Sequence, residues 1–221
     1  MSKHSFSFGS HYQADNTHFG LLLASNEDLI QPRSGFDSHS HIDMEIVTWV
    51  LEGVLTHEDS EGNGGQLRPG LAQRLSAGAG VRHSERNEQP SMPTRVVQMW
   101  ISPDERGGRP DYAQLDVSAQ LSGGDLIPIA SGLDRYRDRP VISLRQRAAA
   151  CHVARLPAGA TARLPTAPFV HLFVAAGDVE VGGFGGAGAG DALRLSDCDG
   201  LDVRAVGDSE ILVWEMHASL S

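Results

Sequence analysis

An all-β fold is predicted by short β-rich segments, dense turn residues and an internal repeat. Apolar, β-branched runs recur along the 221-residue chain, and helical periodicity is scarce. The clearest runs are residues 45–51, 95–101, 169–175 and 210–216. Gly, Pro, Asn and Asp cluster between them, most densely at residues 61–65. Such a pattern is typical of a β-sandwich or β-barrel.

The chain also repeats itself at an offset of about 120 residues. Three pairs carry the similarity: residues 70–76 with 190–196, residues 50–53 with 174–177, and Trp100 with Trp214. Because the pairs keep the same order, they predict two copies of one β domain. We expect the domains to be residues 1–115 and 116–221, with a Gly-, Pro- and Asp-rich linker around residues 103–125.

Two segments of the first copy carry closely spaced metal-ligand residues. His39 and His41 lie two residues apart, and so do His83 and Glu85. Side chains two apart on a strand point to the same face, so these four predict a site for one divalent metal. Imidazole and carboxylate ligands suit iron, nickel, copper, manganese or zinc, and no cysteine lies nearby to indicate a closed structural zinc site. By the same alternation Glu45 faces this cavity, which leaves open whether Glu45 or Glu85 is the ligand.

The second copy has no equivalent ligand set. At offsets of about 120 residues, the ligand positions fall on Arg163, Pro165, Phe169, Val203 and Ala205. The second domain is therefore expected to bind no metal and to stabilise the first. His57 is expected at a strand end rather than at the metal.

Composition excludes several classes of protein. A net charge of −10 argues against binding a nucleic-acid duplex, which requires clustered Lys and Arg. Two cysteines make no disulfide framework and indicate a reducing compartment. The longest apolar run near the N-terminus, residues 21–24, is too short for a signal peptide or a membrane span. We expect a cytoplasmic protein without membrane or nucleic-acid partners.

The site segments resemble the cupin superfamily. Its two sequence patterns are matched by Gly35, His39, His41, Glu45 and Gly53, and by Gly70, Gly78, His83 and Asn87, with Ser76 where proline is usual. Within the cupins the chain resembles the pirins, most strongly over residues 4–103. The segments that carry this resemblance are residues 4–8, 35–41, 45–53, 57–60, 68–70 and 76–85.

The resemblance implies a bicupin, that is, two β-barrel (double-stranded β-helix) domains packed together, with one metal in the N-terminal barrel. It implies the ligands His39, His41, His83 and Glu85, and iron first among the metals. The implied function is a metal-dependent dioxygenase that cleaves a flavonol (quercetin-like) or related aromatic or enol substrate with O2, with Glu85 or Glu45 accepting the substrate proton. The alternative is a non-catalytic metal- or redox-sensing protein that regulates partner proteins. A monomer is expected in either case.

Overall fold

The computed structural model describes residues 2–220 as an all-β protein of two units. The first unit comprises Met1–Thr17, Leu22–Asp116 and Leu144–Gln146, and the second comprises the remainder. The expected domain boundary after residue 115 stays a prediction. Among residues 2–220, no helix has the length and hydrophobicity needed to cross a bilayer.

The first unit consists of a six-stranded and a four-stranded sheet. Its strands are β1 (Ser2–His4), β2 (Leu22–Ile30), β3 (Ser34–His41), β4 (Glu45–Glu52), β5 (Leu55–Asp59), β6 (Gly64–Leu67), β7 (Leu71–Ser76), β8 (Val81–Asn87), β9 (Thr94–Ile101) and β10 (Asp111–Asp116). The larger sheet has the order β1-β2-β9-β4-β7-β10, and the smaller has the order β3-β8-β5-β6. All of these pairings are antiparallel.

The second unit has the same two sheet sizes. Its strands are β11 (Ile127–Ser131), β12 (Ile142–Ser143), β13 (Ala149–Leu156), β14 (Thr161–Arg163), β15 (Thr166–Ala176), β16 (Asp178–Val181), β17 (Gly185–Gly188), β18 (Ala192–Asp199), β19 (Asp202–Ala205) and β20 (Ser209–Met216). Two short 3-10 helices accompany these strands. Gln120–Gly123 lies between β10 and β11, and Asp134–Tyr136 lies between β11 and β12. The sheet orders are β12-β11-β13-β20-β15-β18 and β14-β19-β16-β17.

The two units repeat one topology, which confirms the bicupin prediction. The order β2-β9-β4-β7 of the first unit matches β13-β20-β15-β18 of the second, and β3-β8-β5-β6 matches β14-β19-β16-β17. Gly53 and Gly177 end equivalent strands with φ of 79° and 73°. A Cβ at Gly53 would lie 2.7 Å from the carbonyl oxygen of Pro93, and one at Gly177 would lie 2.4 Å from that of Asp208. Both turns therefore require glycine.

Of the three sequence similarities, the pairing of Trp100 with Trp214 is out of register by one residue. Ile101 lies opposite Glu45, and Met216 lies opposite the equivalent Phe169. Trp100 therefore corresponds to Glu215 and not to Trp214. The prediction was wrong because matching tryptophans by residue type ignored strand register.

The interiors of the two units differ in polarity. Five polar side chains of the first unit, Thr48, His57, Gln73, Glu85 and Gln98, correspond by register to Leu172, Val181, Leu193, Val203 and Val213 of the second. These aliphatic residues belong to one apolar cluster. Val203, rather than the expected Ala205, corresponds to Glu85, because Val181 lies opposite Val203 as His57 lies opposite Glu85. That the second unit binds no metal stays a prediction.

Acid should destabilise the second unit through His171. Burial lowers the pKa of His171 to about 3, against about 6.5 for an unfolded histidine. Between these values the unfolded chain binds a proton that the folded chain does not, so stability falls as the pH decreases below about 6.5. At pH 5 the expected loss is about 2 kcal/mol relative to pH 7.5. Urea unfolding of wild type and His171→Leu at pH 5 and pH 7.5 tests this. The free energy of unfolding should change less between the two pH values in the variant than in the wild type. An equal change in both proteins would contradict the prediction.

Candidate metal centre

Strands β3 and β8 bring three predicted ligands together. His39 lies directly opposite His83 in the antiparallel pair, and His41 follows two residues later on the same face. The ring centroids are 4.5 Å apart for His39 and His83, 4.8 Å for His39 and His41, and 5.0 Å for His41 and His83. Each ring offers a nitrogen within 4.8 Å of those of the other two. Three imidazoles at this separation form a metal-ligand group.

Two of the three histidines, His41 and His83, are held in the neutral form that binds metal. Burial, and then the charge of His39, lowers the pKa of His41 to about 4. Burial and the neighbouring histidines lower the pKa of His83 to about 3. Both rings are therefore neutral at pH 7, as ligands must be. His39 Nδ1–H donates to the carbonyl oxygen of Asp37 at 2.8 Å, which leaves its Nε2 lone pair for a metal.

Glu85 lies beside His83 but outside the three-histidine group. It belongs instead to a second group with His57 and His83, in which all three side chains are buried. Burial raises the pKa of Glu85 to about 7, although hydrogen bonds from Gln98, Thr48 and Gln73 oppose the rise. A carboxyl group with this pKa exchanges its proton near neutral pH, as a general acid or base does.

Three polar side chains from three strands surround Glu85. Gln98 Nε2 donates to Oε2, while Thr48 Oγ1 and Gln73 Nε2 lie 3.5 Å from Oε1. Tyr112 donates its hydroxyl to Gln73 Oε1 at 2.8 Å, which turns the amide nitrogen of Gln73 towards the carboxylate. The position of Glu85 is thus fixed by donors on β4, β7 and β9.

Glu45 does not share the cavity that strand alternation predicted for it. Asp43, between β3 and β4, adopts a left-handed φ of 50°, and the two strands belong to different sheets. The alternation of β3 therefore does not continue into β4. On β4 it is Thr48 that contacts Glu85, so Glu45 lies on the opposite face. The Glu45 carboxylate instead accepts the backbone N–H of Arg145 at 3.1 Å.

His57 is a second residue that sequence reasoning placed wrongly. It lies in the middle of β5 opposite Glu85, is fully buried, and is not at a strand end. Its Nδ1 lies 3.5 Å from His83 Nδ1 and 4.0 Å from Glu85 Oε1. The available signal was alternation, because Leu55, His57 and Asp59 share one face of a short strand. Thr48, Gln73 and Gln98 were also missed, although each interrupts an apolar strand.

A cavity of about 650 Å³ in the first unit reaches His39 of the three-histidine group. Its lining includes His4, Phe8, Phe36, His39, Gln98 and Trp100. Trp100 contacts His41 at a ring-centroid distance of 5.0 Å and Phe8 at 5.3 Å. The volume lies within the range of small-molecule sites, and aromatic walls with a few polar groups are typical of them.

The donor set fits a divalent transition metal. His83 Nε2 is buried and has no hydrogen-bond partner among the described residues. A buried polar atom without a partner is costly, and a metal would satisfy it. The side chains of His39, His41 and His83 would hold the ion, with Glu85 next to His83 as the fourth candidate ligand.

Comparison with known proteins identifies the family of this chain. A family model described as Pirin matches residues 1–101. A Mycobacterium tuberculosis protein named "Putative quercetin 2,3-dioxygenase" is 51% identical over 219 residues, which cover 99% of this chain and 89% of the relative. This chain belongs to the pirin family. An Escherichia coli relative named "Quercetin 2,3-dioxygenase" is 33% identical over 221 residues, which cover 97% of this chain and 90% of the relative.

Solved structures of a bacterial pirin share the fold throughout. The crystal structure of YhhW from Escherichia coli has a TM-score of 0.89 and 32% identity, and the match covers 100% of this pirin and 92% of YhhW. A second structure, of YhhW in complex with nickel(II), has a TM-score of 0.88 and 31% identity, covering 99% and 92% of the two chains.

Proposed function

We propose that this pirin is a metal-dependent dioxygenase. Its substrate would be a quercetin-like flavonol or a related enol, which it cleaves with O2. The observation that carries the proposal is a cluster of three imidazoles, one of which lines an aromatic-walled cavity, beside a buried carboxyl group with a pKa of about 7. The names of the Mycobacterium tuberculosis and Escherichia coli relatives support it. We further propose iron as the metal, a monomeric state and a cytoplasmic location.

The metal would be held by His39, His41 and His83, with Glu85 as the fourth ligand. What a divalent metal supplies at such a site is Lewis acidity, which stabilises the anion of a coordinated enol oxygen, and access to O2 chemistry.

Glu85 is the carboxylate that we propose as proton acceptor, in preference to Glu45. Burial raises its pKa, so the ionised carboxylate is basic enough to take the hydroxyl proton of an enol substrate. Gln98 lines the cavity and donates to Glu85 Oε2, so it connects the substrate space with the carboxylate. Donation from Gln73 and Thr48 holds Oε1 in place.

The aromatic walls of the cavity would orient a planar substrate. Phe8 and Trp100 meet edge to face with an interplanar angle of 72°. Phe36 lies against His39 at a centroid distance of 6.5 Å. Flat apolar surfaces of this kind bind aromatic rings by stacking and by excluding water.

Oxygen uptake tests the proposal directly. Protein reconstituted with Fe²⁺, and separately with Ni²⁺, Cu²⁺, Mn²⁺ and Zn²⁺, is mixed with quercetin and with simpler flavonols in an oxygen-electrode cell. We expect metal-dependent uptake that matches loss of the flavonol absorbance. A protein that binds metal but consumes no O2 with any of these substrates would instead favour the metal- or redox-sensing alternative.

Trp100 should determine substrate affinity. Replacing Trp100 by alanine removes a large aromatic wall of the cavity, so we expect KM for quercetin to rise by roughly 10-fold or more, with a smaller change in kcat. Trp100→Phe retains most of the wall and should recover most of the affinity. Steady-state oxygen uptake measures both constants, and an unchanged KM in Trp100→Ala would place the substrate elsewhere.

A further inference from the structure

A carboxylate and two histidines form a line that ends at the three-histidine group. Asp59 Oδ2 lies 3.6 Å from His57 Nε2, and His57 Nδ1 lies 3.5 Å from His83 Nδ1. The side chains of Asp59 and His57 are fully buried, and His83 is 2% exposed. The arrangement resembles neither a surface ion pair nor apolar core packing, and the proposed reaction does not itself use Asp59 or His57.

Asp59 is a fixed acceptor at the outer end of this line. Its Oδ1 accepts the backbone N–H groups of Glu61 and Asn63, each at 2.9 Å, and its Oδ2 accepts Asn63 Nδ2 at 2.9 Å. Burial alone would raise the pKa of Asp59, but these hydrogen bonds outweigh burial and the pKa is lowered. The turn after β5 therefore holds an ionised carboxylate in one orientation beside His57.

The carboxylate determines which nitrogen of His57 carries the proton. A neutral imidazole has one N–H and one lone pair, and a lone pair on Nε2 would face the negative charge of Asp59. The favourable tautomer therefore has the proton on Nε2 and the lone pair on Nδ1. Glu85 Oε1 lies farther from the ring, at 4.0 Å, and already has Thr48 and Gln73 as donors.

The lone pair on His57 Nδ1 determines the tautomer of His83 in turn. Two imidazole nitrogens 3.5 Å apart are compatible only if one donates and the other accepts. His83 therefore carries its proton on Nδ1, which leaves the lone pair on Nε2, the buried nitrogen without a hydrogen-bond partner among the described residues. His39 has the same tautomer, with its proton on Nδ1, because that nitrogen donates to the carbonyl oxygen of Asp37.

We propose that Asp59 and His57 are positioning residues that fix His83 in its Nδ1–H tautomer, and thereby present His83 Nε2 to a divalent metal. His57 stacks on Tyr112 at a centroid distance of 4.9 Å and an interplanar angle of 21°, which restricts the rotation of its ring. Groups that orient a ligand histidine in this way typically change metal affinity by about 10–100-fold. The affinity part of this inference rests on the proposed metal site, but the tautomer part does not.

Nitrogen-15 NMR of the metal-free protein tests the tautomers. Two-bond ring correlations at pH 7.5 distinguish Nδ1–H from Nε2–H. We expect Nε2–H for His57 and Nδ1–H for His83 in the wild type, with loss of the Nε2–H preference of His57 in Asp59→Asn. Glu58→Gln is the matched control, since it makes the same change on the exposed neighbour of the same strand. Finding Nε2–H on His83 in the wild type would overturn the proposal.

Competition with a chromophoric chelator for Ni²⁺ tests the consequence for binding. We expect His57→Leu to weaken Ni²⁺ binding by about 10–100-fold, His57→Gln to recover most of it because the amide oxygen can accept from His83, and Glu58→Gln to change nothing. Unchanged affinity in His57→Leu would overturn the positioning role. Loss as complete as in His83→Ala would also overturn it, because His57 would then be a ligand.

The two proposals fail in different ways. A wild type that binds no Ni²⁺, Fe²⁺ or other divalent transition metal would contradict the proposed function, and the NMR experiment would still decide the tautomers. A wild type that binds Ni²⁺ with Nε2–H on His83 would contradict the positioning role and leave the metal site intact. Melting temperatures of all variants identify any that do not fold. If His57→Leu does not fold, Asp59→Asn still tests the proposal, because it keeps both histidine rings.

Discussion

Replacing His39 and His83 together by alanine should remove the metal from the protein. The two rings face each other across the β3–β8 pair at 4.5 Å, so the change leaves His41 as the one imidazole of the three-histidine group. We expect metal content, measured by elemental analysis of protein purified without a histidine tag, to fall from about one ion per chain by roughly 10-fold or more. Activity in the oxygen-uptake assay should be lost with the metal.

His217→Gln is the control for this experiment. His217 is a partly exposed histidine of the second unit, so its replacement tests whether loss of any imidazole lowers metal content. We expect the control to retain the wild-type content. Equal metal in wild type and the double variant would show that the cluster on β3 and β8 is not the metal site, and a content near two ions per chain would show a second site.

Glu85→Gln should abolish most of the turnover while the fold is retained. The substitution keeps the size of a fully buried side chain but removes the proton acceptor. A positioned general base typically contributes 10²–10⁴-fold, so we expect kcat for quercetin to fall by about that factor. The measurement is oxygen uptake normalised to bound metal, which separates a loss of proton transfer from a loss of the ion.

Glu45→Gln distinguishes the two carboxylates that the sequence left unranked. Glu45 accepts the backbone N–H of Arg145 and faces away from Glu85, so its replacement should alter stability and leave kcat per bound metal close to wild type. The reverse result, with Glu45→Gln inactive and Glu85→Gln active, would contradict the assignment of Glu85 as proton acceptor.

The histidine cluster could be predicted because its geometry is local. His39 and His41 lie on one strand, and His83 lies on another, so spacing by two residues was enough to place the rings of each strand on one face. Only the pairing of the two strands had to be assumed. The repeat was visible for a similar reason, since Gly53 and Gly177 are required by the same turn in each unit.

The surroundings of Glu85 could not be predicted in this way. Thr48, Gln73 and Gln98 come from three strands of the larger sheet, whereas Glu85 and His57 come from the smaller one. No spacing within any single segment relates them. Glu45 was misplaced because one left-handed residue, Asp43, ends the alternation between β3 and β4.

By itself, the sequence determined an all-β fold with an internal repeat and placed two pairs of ligand residues in its first half, and its resemblance to the pirins implied the bicupin. Strand alternation, turn glycines and residue types are sufficient for the fold class, the repeat and the spacing within each pair, because these depend on neighbours along the chain. Only the tertiary structure decided that Glu85 is enclosed by three donors, that His57 contacts His83, and that the second unit has an aliphatic interior at the matching positions. These features depend on which strands face each other across the interior of a unit. Burial in that interior raises the pKa of Glu85 and keeps His41 and His83 neutral.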